Sequence, residues 1–290
     1  MGLRTDPTER QRRFGEELRR LRIAAGMSAP EAGARIGIKG PAVSHTEAGR
    51  LGLNPERLNT WLDACDCTDP ALRSALVAMS QSSGKGWWTA YRDLVHPSAL
   101  DLAEHEAGAV SLDSYETLLI PGLLQIPEYA GVILETAAET EERLRFRIER
   151  QAILHGETPP RLHAVIHEAA LHMRYGGVAV MEKQLLHLLR MSELPHVTIQ
   201  IFPFSRTEYA STDTTFMMLG ARHPRLDTVL MEHPAGSAYL GEPEAVDKYR
   251  HTFAELTRLA LPRVETSRAA RPHTGRDSWG LIQHVLYTLH

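Results

Sequence analysis

The chain has 290 residues, 43% hydrophobic and 23% charged, with a formal net charge of −4. That length allows two domains with substantial cores, and no apolar run is long enough to span a bilayer. Cys65 and Cys67 are too few and too close for a disulfide framework, and the N-terminus lacks a signal-peptide core, so a cytoplasmic location is expected.

Charge is unevenly spread. Residues 1–60 carry 11 Lys/Arg against 7 Asp/Glu, a balance of +4, leaving −8 for the remainder. A basic end on an acidic body suits a DNA-binding head joined to a domain that does not bind DNA. In chain order, Phe14, Leu18 and Leu21 recur at helical spacing in a first helix over 9–26, ended by Gly26. Ser28 and Glu31 form a capping-box signature for a second helix with Ala32 and Ile36 inward. Gly37 supplies a turn, Ile38 plugs the joint, and a third helix runs from Pro41 to Ala48, stopped by Gly49. Asn54-Pro55 opens a fourth, with Leu58, Trp61, Leu62 and Cys65 on one side, and Asp69-Pro70 a fifth, with Leu72, Leu76 and Met79 inward. None of the five can bury its stripe alone, so they must form one bundle.

Phe14 to Leu21, Gly26, Ser28, Glu31, Gly37 to Lys39 and above all VSHTEAGR at 43–50 resemble the phage-repressor-like (Xre/Cro-type) helix-turn-helix family. Ser44, Glu47 and Gly49 match its frequent S-x-x-E-x-G pattern, whereas Ala29 and Gly33 stand where glutamine and alanine are usual. The resemblance implies a double-stranded DNA operator read by Ser28, Lys39, Gly40, Ala42, Ser44, His45 and Arg50. Gly40 and Ala42 offer only close approach and a methyl contact, and Lys39 and Arg50 suit phosphates, which position a protein without specifying sequence.

Gly84 to Trp88 marks a boundary, with the two tryptophans expected to pack as docking core. Beyond it, Tyr115 to Leu124 is an apolar stretch bent at Pro121-Gly122, and Glu139 to Leu154 a charged helix. Alternation marks a strand at Leu162, Ala164 and Ile166, and another at Val197, Ile199 and Ile201. Further strand signals lie at 216–219 and 228–232. Helices are expected over 168–173, 180–191 and 245–261. The tail after Pro262 ends in an amphipathic helix carrying Leu281, Ile282, Val285, Leu286 and Leu289, able to dock at home or on a partner. GWW at 86–88, SYETLLIPGLLQIPEYA at 114–130, RIERQAILHGETPPRLHAVIHEAAL at 147–171, PHVTIQIFPF at 195–204 and GSAYLGEPEAVDKYRHTFAEL at 236–256 resemble the C-terminal domain of a group of multi-helix regulators. That domain was first known only as one of unknown function and is described as antitoxin-like. The resemblance implies small acidic partner proteins.

Chemistry is sparse. His163 and His167 share a strand face, with Glu168 adjacent and His172 beyond, a conceivable metal set of loose spacing without cysteine support. No nucleophile elbow, phosphate loop or cofactor motif is present. Tyr115, Glu116, Gln125 and Tyr129 lie among the leucines of 118–124, where buried polar groups need partners that a ligand could supply. They and the strand 162–167 are the expected ligand or partner site.

The expected fold is α+β, with a five-helix repressor-like helix-turn-helix bundle over 1–82, a mixed α/β effector or partner domain with a small sheet over 86–265, and a tail over 266–290. The expected function is a DNA-binding transcriptional regulator, a homodimer held by its second domain, which senses a small molecule or a small acidic partner protein. The alternative is an enzyme on the same frame, with a decayed head and a histidine-lined metal or acid/base site.

Overall fold

A computed structural model describes residues 3–134, 140–210, 214–233, 236–265 and 276–289. The chain divides into two compact units. The first comprises Met1–Ala90, Ala99–Gly108 and Ala221–Asp227, the second Tyr91–Ser98, Ala109–Gly220 and Thr228–His290. Two later segments thus return to the first unit, where the sequence predicts one unbroken domain after residue 86.

The first unit holds α1 (Glu9–Ala24), α2 (Ala29–Ile36), α3 (Gly40–Glu47), α4 (Pro55–Ala64) and α5 (Pro70–Gln81), with most of α6 (Pro97–Gly108). The side chains of Thr8, Ser28, Asn54 and Asp69 accept first-turn N–H groups of α1, α2, α4 and α5. Leu18, Val43, Leu58, Trp61, Leu62 and Leu76 are completely or almost completely buried in one shared core, which Leu226 of the returning segment joins. That segment is also held ionically. Arg225 lies 2.6 Å from the fully buried Glu17 carboxylate, Arg13 donates to the Arg225 carbonyl, and His223 meets Asp69 at 3.0 Å.

In the second unit β1 (Ser111–Glu116), β2 (Arg161–His167), β3 (Val197–Phe202), β4 (Phe216–Gly220), β5 (Thr228–His233) and β6 (Gly236–Leu240) make one sheet ordered β3-β2-β1-β4-β5-β6. β1, β2 and β3 are mutually parallel, and β4, β5 and β6 continue antiparallel from β1. The helices are α7 (Pro127–Leu134), α8 (Thr140–Gln151), α9 (Glu168–His172), α10 (Val178–Met191), α11 (Pro243–Leu259) and α12 (Ser278–Thr288). Tyr115, Val165, Phe216, Met218 and Val229 point from one sheet face into a core completed by Val246, Phe253, Leu256 and Leu259 of α11. Leu112, Leu162, Ala164, Ile166 and Ile199 are buried on the other.

The outer edge of β3 is covered rather than exposed. Leu261 and Val264 donate their N–H groups to Ile201 and Ile199 carbonyls at 2.9 Å, and the Ser278 hydroxyl accepts the Ile201 N–H. The terminal helix therefore docks at home, with Leu281, Ile282 and Val285 buried. Residue 139, the expected start of the charged helix, and residues 266–275 of the tail lie outside the described residues. Strands β1 and β6 and helices α6 and α7 are additions to the elements expected from sequence. No helix of the described residues is long and apolar enough to cross a membrane.

Gly33 is where α2 meets the turn. A Cβ there would lie 2.6 Å from the Ile38 carbonyl oxygen and 3.1 Å from Val43 Cγ2, while the Gly33 carbonyl accepts the Ile38 N–H. Alanine, usual here in the family the sequence resembles, has no room in this chain. Gly33→Ala should lower stability by about 1–3 kcal/mol with helical content retained, measured as a reduced urea midpoint at constant slope.

Candidate functional site

Helices α2 and α3 are joined by Gly37, Ile38 and Lys39, with Gly37 in the left-handed conformation. Ser28 is committed to its helix: its hydroxyl accepts the Glu31 N–H, and the Glu31 carboxylate accepts both the N–H and the hydroxyl of Ser28. Helix α3 is fixed from behind. Val43 and Thr46 are fully buried, and Glu47 forms a two-point ion pair with Arg22 of α1, Nη2 to Oε2 at 2.9 Å. Gly49, left-handed, lies so close to α1 that a Cβ would sit 2.8 Å from the Gln11 backbone. In the Ser44-Glu47-Gly49 pattern, then, Glu47 and Gly49 seat α3, while Ser44 is exposed.

The front of α3 differs from its neighbours. Alone among the first five helices it has no side-chain cap, and like α5 it has no acidic residue in its first turn. Lys39 occupies its N-cap position and is exposed, as are Pro41 and Arg50; Gly40, Ala42 and His45 are half-buried. An uncapped helix start beside a lysine presents a partial positive charge and an amide suited to an anion.

The four residues expected to line a ligand site separate into two groups. Gln125 donates to the Ile120 carbonyl at 2.7 Å and accepts from Arg147 at 2.9 Å; the Tyr129 hydroxyl accepts the Ile120 N–H at 3.3 Å. Gln184 accepts from the Ile126 N–H and donates to the Leu124 carbonyl, and Gln151 donates to the carbonyls of Gly122 and Gln125. Residues 120–126 form a loop that is buried at all but Gly122, and these side chains satisfy its backbone. The partners that a ligand was expected to supply to Gln125 and Tyr129 are thus present within the chain. Glu116 lies on the same side, with Arg147 and Glu232 in its field; burial, then Glu232, push its carboxyl up to about 8. Tyr115 points to the opposite face, into the α11 core.

The histidines do not converge. His163 Nε2 lies 2.7 Å from Gln200 Oε1, with its ring edge-on to Phe253. His167 Nδ1 accepts the Ala169 N–H at 3.1 Å and its ring stacks on Phe202, while His172 stacks on Phe204 and approaches Glu168 at 3.7 Å. No three or more His, Cys, Asp or Glu among the described residues, His163, His167 and His172 included, are grouped to hold a metal ion. Cys65 and Cys67 are buried free thiols, with burial pushing Cys65 up to about 11.

A cavity of about 320 Å³ opens where the carboxyl ends of the parallel strands meet the loop after β3. Tyr115, Thr117, Leu118, His167, Ala169, Phe202, Glu208, Tyr209, Ala210 and Leu256 line it. Of the predicted site it keeps Tyr115 and the end of the strand 162–167. Phe202 and residues 208–210 had no local signal, because their meeting depends on β3 pairing with β2.

Among family models, one for a helix-turn-helix domain matches residues 13–76. The head is therefore a DNA-binding domain of the kind used in transcription regulation. A second model, for a domain of unknown function (DUF5753), matches residues 99–271, well over half the chain. The chain belongs to that family. No curated protein and no solved structure matches it.

The raised Glu116 carboxyl makes stability depend on pH. Its folded-state value lies above the ordinary one, so its contribution is present at low pH and is lost as pH rises towards about 8. Glu116→Gln should match the native chain near pH 5 and exceed its stability by on the order of a few kcal/mol near pH 8.5, read from urea midpoints at about those two pH values.

Proposed function

We propose that this protein is a transcriptional regulator of the Xre/Cro type whose head binds an operator through the α3 face and whose second unit senses an effector. The observation that carries the reading is the seating of α3: its rear is locked by Val43, Thr46 and the Glu47–Arg22 pair, while its uncapped start, Lys39, Ser44 and Arg50 face outward. A helix held so rigidly with an open N-terminus suits insertion into a major groove. Lys39 and Arg50 contact phosphates, with His45 beside them. Ser28, occupied with its own cap, contributes through its position at the start of α2. Gly40 and Ala42 permit close approach, and Ser44 is the side chain best placed to reach a base edge.

One head reads few base pairs, so the protein binds paired half-sites as a homodimer held by the second unit. The second unit is the antitoxin-like module, taking a small acidic partner protein or a small molecule, and the protein works in the cytoplasm. The free, buried cysteines are consistent with that compartment.

The test is a gel shift on DNA upstream of the gene across about 50 to 200 mM salt. Replacing Lys39, His45 and Arg50 together by alanine should weaken binding to all sequences alike and reduce the salt slope by roughly one for each phosphate no longer neutralised. Ser44→Ala should act at a single position of the site. Unchanged affinity in the triple variant would overturn the docking face, and a monomer in light scattering of the full chain would overturn the paired-site reading.

A further inference from the structure

The cavity beyond the carboxyl ends of β1, β2 and β3 has the form of a small-molecule site. Its volume, about 320 Å³, is at the small end for ligand pockets. Ligands in sheets with parallel strands bind at that end of the strands, where loops diverge and leave a crevice. Its walls are largely aromatic and aliphatic, and no lysine or arginine lines it among the described residues. The one charged side chain of that lining is Glu208 at the rim, which is exposed. An anion is therefore disfavoured, and so is an acidic peptide.

One wall is polar in a defined way. His167 Nδ1 accepts the Ala169 N–H, so in the neutral ring the proton sits on Nε2. The ring is stacked on Phe202 at 5.8 Å and meets Phe204 edge-on at 5.3 Å, which fixes its plane. A fixed donor among stacked rings selects a flat molecule with an acceptor on its edge. Glu168 accepts the Phe204 N–H, tying the loop after β3 to the start of α9.

We infer that this cavity binds a neutral, flat, mostly apolar small molecule carrying a carbonyl or similar hydrogen-bond acceptor, held by stacking and by donation from His167 Nε2. The inference rests on reading the second unit as a sensor, and it chooses a small molecule over a protein as what this cavity takes. Exposed Leu118, Phe204 and Tyr209 lie on the segments around it, and in this view ligand binding covers part of that apolar surface.

Prodan, a neutral naphthalene ketone with environment-sensitive fluorescence, is the probe, titrated into the full chain without DNA. Saturable one-site binding with a blue-shifted emission is expected. His167→Phe, which keeps the stacking but removes both the Nε2 donor and the Nδ1 cap on the Ala169 N–H, should weaken binding about 3–10-fold in a chain that the melt shows to be folded. Ala169→Phe and Thr117→Phe, each filling the cavity from a different wall, should abolish it; a thermal melt identifies which variants remain folded. The anionic probe 8-anilinonaphthalene-1-sulfonate should bind at least about tenfold more weakly, given the acidic rim.

Absence of saturable prodan binding in the native chain overturns the inference, leaving the exposed apolar surface to a protein partner. So does affinity unchanged in His167→Phe or in a folded cavity-filling variant, or equal affinity for the anionic probe. Because the titration contains no DNA, its failure is separate from failure of the gel shift, and His167→Phe should leave the gel shift unchanged.

Discussion

The pairing of Arg22 with Glu47 is the interaction on which the presentation of α3 depends. Glu47 is the last residue of that helix, where the backbone dipole disfavours a negative charge, and its side chain is only 9% exposed. Left alone there, the carboxylate would be both desolvated and repelled by the carbonyl end of its own helix. Arg22, in the last turn of α1, answers both problems with two donors and uses a third nitrogen to bind the Met27 carbonyl at 2.7 Å. Such a pair contributes more to geometry than to net stability, since its attraction is offset by desolvation. Its directional contacts fix which side of α3 faces the core. Polar front and apolar rear follow from that, and so does the exposure of Lys39 and Ser44.

The second unit meets a different constraint, a loop with a largely buried backbone. Residues 120–126 carry amides and carbonyls with no strand or long helix to pair them. Leaving each unmet costs about 1–3 kcal/mol, far more than a marginal fold tolerates. Gln125, Gln151, Gln184 and Tyr129 meet those groups from the loop itself and from α7, α8 and α10. Polar residues among leucines have two physical explanations, a ligand or a buried backbone, and here the backbone accounts for these four.

What the sequence made legible was what is local. The helix starts at Ser28, Asn54 and Asp69, the left-handed Gly37, and the strands around Leu162–Ile166 and Val197–Ile201 have signals within a few residues, and the structure has them there. Helix α6 was hidden because Glu104, His105 and Glu106 are buried in it, which breaks the apolar stripe that marks a helix. β1 was hidden because SLDSYE has only two apolar residues, Leu112 and Tyr115, facing opposite sides of the sheet. Gly40, Ala42, Ser44 and His45 lie on α3, with Lys39 just before it and Arg50 just after. The segment 221–227 joining the first unit had no signal, since its contacts are with residues about 150–210 positions away.

The same strand β1 explains why the expected ligand residues could not form one site. Side chains on a strand alternate, so Tyr115 and Glu116 cannot face the same way. Glu116, opposite Ile166 in the register, faces the side of the glutamine-stitched loop, and Tyr115, opposite Val165, faces α11. A site that used both would need a bulge, and the ladder from Ser111 to Glu116 runs unbroken beside β2. The chain therefore places the cavity on one face and the support of the buried loop on the other. His167 falls two residues beyond Val165, on the Tyr115 face, and the cavity forms on that side. Parity along two strands, rather than the chemistry of any one residue, decides which predicted residues stay together.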